Sequence, residues 1–157
     1  MAVAVIFVIL FVGLFVAAFI SKRRFGLLAL GLAAGSLLAG VWSANIAMIL
    51  EGAGVGLVEP PLESLVAVCL TVFPALLLML GGSTYSSKPQ RMFGSILFAA
   101  LAVALLVESV GSGLVIEGDG QVIYDNLRSY ASYIVAGGLV FAIIEIMFTK
   151  SKSKGER

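Results

Sequence analysis

The chain has 157 residues, of which 61% are apolar and 12% charged, with a mean hydropathy of +1.12. That apolar load exceeds what a soluble domain of this size can bury, and it is the opposite of a disordered composition. Ten Lys and Arg against nine Asp and Glu lack the basic excess of a nucleic-acid binder, so the expected surroundings are a lipid bilayer.

The first apolar run covers residues 1–20. No basic residue precedes it and no small-residue cleavage site ends it, so it reads as a retained span rather than a removed signal. Lys22, Arg23 and Arg24 close it. The second run, 25–50, is longer than the hydrocarbon core requires and predicts tilt or an interfacial extension. Within it, Gly31, Gly35, Ala39 and Ser43 recur every four residues and form one small-residue helix face. Two readings fit that face: an interface with a partner or second copy, or internal packing against another span.

A Gly- and Pro-rich loop, 51–63, leads to the third run, 64–82, which contains Pro74. Membrane helices tolerate such a proline. The fourth run, 93–116, is rich in alanine and interrupted by Glu108. A carboxylate at membrane depth is costly unless neutral or paired. Glu108, with Ser109, Ser112 and Asn45 of the second span as polar neighbours, therefore forms a possible intramembrane polar site. It reads either as a proton- or cation-sensitive site or as a neutral glutamate hydrogen-bonded to a neighbouring helix. A loop over 117–129 carries the turn Glu117-Gly118-Asp119-Gly120 and precedes the fifth run, 130–148. Tyr124, Tyr130 and Tyr133 cluster at one end of this span, as in an interfacial belt. Glu145 lies near its other end, where it is expected to snorkel toward Lys150 or another basic residue. The tail, 149–157, is polar and basic and suits anionic lipid.

Charge sets the expected orientation. Lys22, Arg23, Arg24, Lys88, Arg91, Lys150, Lys152, Lys154 and Arg157 fall on one side of a five-span arrangement, and only Arg128 falls on the other. The positive-inside rule then gives an all-α integral membrane protein. The expected architecture is a single bundle of five transmembrane helices, N-terminus outside and C-terminus cytoplasmic. The many small residues predict tight packing without a wide aqueous cavity.

Chemistry is sparse. There is no His, and one Cys, Cys69, has no base to activate it. No zinc-protease, nucleophile-elbow or phosphate-loop motif occurs. No catalytic residue, metal site or cofactor is expected. The expected role is a non-enzymatic scaffold or accessory subunit, meeting a protein partner or a second copy through its helices. The alternative is a small transporter or channel component that uses Glu108.

Two short motifs carry a family resemblance. Lys22-Arg23-Arg24-Phe25-Gly26 is a basic turn followed by glycine, and Gln90-Arg91-Met92-Phe93-Gly94 is similar to an Asp-Arg-x-x-Gly motif with Gln90 in place of the acid. With the order of spans over about residues 1–115, they resemble the colicin V production family of small inner-membrane proteins. The resemblance implies an outward N-terminus, motif residues Arg24, Gly26, Arg91 and Gly94, and a role in export or envelope maintenance.

Overall fold

The computed structural model describes residues 2–56, 60–81, 84–85, 87–112 and 119–152; the side chains of 2–4, 108, 112, 119–120 and 149–152 lie outside the described residues. The described residues form five helices: α1 (Ala2–Ser21), α2 (Phe25–Gly52), α3 (Leu62–Leu80), α4 (Lys88–Ser112) and α5 (Asp119–Lys152). Among the described residues there is no strand, only a single antiparallel bridge between Arg23 and Thr84. Four stretches are long and apolar enough to cross a membrane: Phe25–Gly52, Leu62–Leu80, Lys88–Val107 and Gln121–Phe148. In α1 the comparable stretch, Val5–Ser21, is shorter. Helices suit that setting because every interior backbone group finds its partner within its own segment, leaving nothing for lipid to satisfy.

Helix α3 starts two residues before the expected run and α4 five residues before it, and α5 differs at both ends. The loop expected over 117–129 is helical from Asp119 onward, so α5 runs for 34 residues. Its acidic first turns extend an otherwise apolar helix, and Tyr124 lies against Gly111 of α4, which ties this extension to the bundle. At the other end the helix continues through Lys152, so the first four residues of the expected tail belong to it.

The helix ends explain the connections. The Ser21 hydroxyl donates to the Ala18 carbonyl at 2.9 Å. Lys22 then takes φ +58°, the left-handed conformation that often terminates a helix and that a non-glycine residue adopts at some cost. The Lys22 carbonyl is held there by the Tyr85 amide at 2.9 Å.

Helix α4 is the centre of the bundle: 56% of its apolar stretch is buried, against 11% for α5. Phe98, Ala99, Leu101, Ala102 and Leu106 of α4 pack with Leu14 and Ala18 of α1, Phe25, Leu28 and Leu32 of α2, Ala75 of α3 and Ala142 of α5. Alanines at these contacts let the helices approach closely. In lipid that proximity matters, because dispersion contacts must replace the missing hydrophobic drive.

Candidate functional site

The small-residue face of α2 is turned inward. Gly31, Gly35, Ala39, Ser43 and also Ala47 are all buried. Gly31 lies against Ala75, and Gly35 against the carbonyls of Leu70 and Thr71 in α3. Pro74 has no N–H to return to the Leu70 carbonyl four residues earlier. The α2 backbone comes closest where the α3 ladder is interrupted, in the manner of a Cα–H to carbonyl contact.

A second cluster, at the end of the bundle that holds the basic turns, joins residues the sequence keeps far apart. Helix α2 begins after Arg24, whose side chain makes no capping bond to it, so its first N–H groups need outside acceptors. The Phe25 N–H donates to the Tyr85 hydroxyl at 3.0 Å. The Gly26 N–H donates to Glu145 Oε2 at 2.6 Å. Tyr85 in turn donates its hydroxyl to Glu145 Oε1 at 2.6 Å. One carboxylate from α5 and one phenol from the α3–α4 connection therefore cap α2, and the negative charge sits where the helix dipole favours it.

The same cluster accounts for two glycines. A Cβ on Gly26 would lie 2.7 Å from the Ala142 carbonyl oxygen, and one on Gly94 would lie 2.6 Å from the Tyr85 hydroxyl. Arg23 closes the neighbouring helix end, its Nε and Nη2 donating to the carbonyls of Met79 and Leu80 at 3.0 and 3.1 Å. These are the last carbonyls of α3, orphaned by the helix end. The Arg91 guanidinium stacks 3.7 Å over the Phe19 ring and so ties α4 to α1.

Burial raises the Tyr85 phenol well above its ordinary value of 10.0, and the hydrogen bond to Glu145 pushes the same way; the Phe25 N–H and the charge of Arg24 oppose the shift. Tyr85 is therefore a neutral donor at physiological pH.

The structure sorts the expected polar residues differently from the sequence. Arg24, Gly26 and Gly94 lie around the Tyr85–Glu145 cluster, whereas Arg91 packs over Phe19 of α1. Glu145, expected to snorkel, instead caps α2 from a partly buried position. Asn45 is exposed on α2, away from the buried face that carries Ser43. The side chains of Glu108 and Ser112 lie outside the described residues. Ser109 lines a cleft of about 580 Å³ between α2, α3 and α4, at the end opposite the basic turns. The acidic half thus holds a cleft, while Ala47, Leu62 and Val66 keep α2 and α3 packed beside it. Among the described residues, no group of three His, Cys, Asp or Glu converges to hold a metal.

Sequence reasoning passed over Tyr85 and weighed Glu145 as a surface residue. A signal was present: Tyr85 is the one tyrosine of four away from the α5 belt, and it sits beside the basic loop. No family model, curated protein or solved structure matches the chain.

Proposed function

We propose that the protein is a five-span inner-membrane scaffold or accessory subunit that binds a partner through α5. The carrying observation is the exposure of that helix. It is 34 residues long, yet only 11% of the residues in its apolar stretch are fully buried by its own chain. Its open surface includes Tyr130, Tyr133, Val140, Ile143, Met147 and Phe148, and nothing lies within 4 Å of a Cβ on Gly137. A glycine flanked by large apolar side chains gives fluid lipid little to pack on, but it lets another helix backbone come close.

The orientation follows from charge. Contacts of Lys22, Arg23 and Gly26 with Tyr85, Met79 and Glu145 gather the basic turns at one end, and the positive-inside rule directs that end to the cytoplasm. The resemblance to the colicin V production family implies a role in export or envelope maintenance. Residues 22–26 and 90–94, which carry that resemblance, both lie against Tyr85.

The test is co-purification of the Gly137→Leu variant from native membranes, read by crosslinking and native mass. Loss of the associated species with an intact, folded chain is expected, and an unchanged assembly overturns the reading. A reporter fused at Gly120 should read as external; a cytoplasmic signal overturns the topology.

A further inference from the structure

The cleft in the acidic half does not depend on α5 or on the role proposed for it. Ser36 and Ser43 reach it from α2, Glu63 and Thr71 from α3, and Ser109 from α4. Its depth follows from the register of α2 and α3. These helices run antiparallel, with Gly31 against Ala75 and Gly35 against Thr71. The same register sets Ala39 beside Ala67 and Ser43 beside Glu63. Thr71 is nine residues beyond the start of α3 at Leu62, about 14 Å along a helix rising 1.5 Å per residue. The floor of the cleft is thus near the middle of a hydrocarbon core about 30 Å thick.

Hydroxyls removed from water need partners. Thr71 has one, donating to the Ala67 carbonyl at 2.8 Å. Ser36 and Ser43 make no hydrogen bond with any other described residue, and Ser43 is only 9% exposed while lining the cleft. A polar group inside the cleft would satisfy it. Charge selects the class of that group. Among the described residues that line the cleft, Glu63 is the ionisable side chain and neither Lys nor Arg occurs. A carboxylate at the mouth of a cleft lined by hydroxyls and small apolar residues concentrates cations and repels anions.

We propose that this cleft binds a primary ammonium group carried on a short apolar stem. The ammonium sits at the level where Ser43 faces Glu63, donating to the hydroxyl and paired with the carboxylate. The stem runs inward past Ala39, Gly40 and Leu105, and the Ser36 hydroxyl, deeper still, bonds a water or a second polar group of the ligand.

The test uses the full chain in lipid nanodiscs, with Cys69→Ser as background and Ser43→Cys as reporter. It is modified in parallel by a cationic trimethylammonioethyl and an anionic sulfonatoethyl methanethiosulfonate, each rate divided by that reagent's rate with a free thiol. The expected cationic preference is about tenfold or more. Glu63→Gln should bring the ratio back toward unity, and hexylammonium, unlike hexyl sulfate, should slow the modification saturably. Calorimetric titration of the unsubstituted chain with hexylammonium supplies a readout that does not depend on the cysteine variant, with a saturable heat that Glu63→Gln removes. A ratio near unity, a ratio indifferent to Glu63→Gln, labelling without hexylammonium protection as in a water-filled cleft, or the absence of a saturable heat each overturns the proposal.

Discussion

Tyr85 and Glu145 stand 60 positions apart in sequence and 2.6 Å apart at the bond between phenol and carboxylate. Each also accepts one of the first two N–H groups of α2. Three connections of the chain therefore close on a single pair of side chains: the α1–α2 turn, the α3–α4 linker and the last turns of α5. Removing either partner leaves a partly buried donor or acceptor unsatisfied, which costs more than the bond itself contributes.

Glu145→Ala is expected to lower stability by about 1.5–3 kcal/mol, the range for hydrogen bonds to charged groups. Glu145→Gln should lose less, because the amide oxygen can still accept from Gly26 or Tyr85. Reversible unfolding in mixed micelles reads both. An alanine variant as stable as the parent would show that the cap does not hold the bundle end.

The Tyr85 phenol gives a pH prediction of definite sign. Its value is raised in the folded chain, first by burial and then by Glu145. The folded state therefore holds a proton that the unfolded chain releases near pH 10.0. The stabilisation is complete below that pH and declines as pH rises above it. Phenolate absorbance should show a late-titrating component that Tyr85→Phe removes. The same variant should flatten the alkaline fall in stability.

The two glycines around this pair make a third prediction. At Gly26 the obstacle is the backbone carbonyl of Ala142, and at Gly94 it is the Tyr85 ring. A ring can swing aside, whereas a packed helix backbone cannot. Gly26→Ala should cost about 1–3 kcal/mol, in the range of overpacked cores, and loosen α5 from α2. Gly94→Ala should cost less stability but displace Tyr85, read as loss of its late-titrating absorbance. Equal effects at both positions would contradict this distinction.

The helices were legible because hydropathy and length alone decide what crosses a bilayer. The start of α5 was not, since Asp119-Gly120 carries a turn signal and only the contact of Tyr124 with Gly111 argues the other way. The four-residue spacing of Gly31, Gly35, Ala39 and Ser43 revealed a face but not its neighbour, because close approach to α3 and to a second copy require the same small residues. The Tyr85–Glu145 pair was hidden for a different reason. Caps supplied from a distant helix have no sequence spacing, so the missing side-chain cap at Arg24 and the isolated tyrosine beside the basic loop are its traces in the sequence. Depth in the membrane singles out Glu108 among the polar residues, but it is at the helix ends that backbone groups most need partners.

The inward face of α2 separates two glycines five residues apart. A Cβ on Gly35 would meet the carbonyls of Leu70 and Thr71, whereas nothing lies within 4 Å of one on Gly40. Gly35→Ala must therefore push α2 and α3 apart where Pro74 already interrupts the α3 ladder. A loss of about 1–3 kcal/mol is expected. Gly40→Ala should stay within about 0.5 kcal/mol of the parent, as for substitutions away from packed features. Both effects should appear in the isolated chain at high dilution, because the contact that Gly35 makes is intramolecular. If the Gly35→Ala penalty depended on protein concentration, the face would be serving a second copy rather than α3.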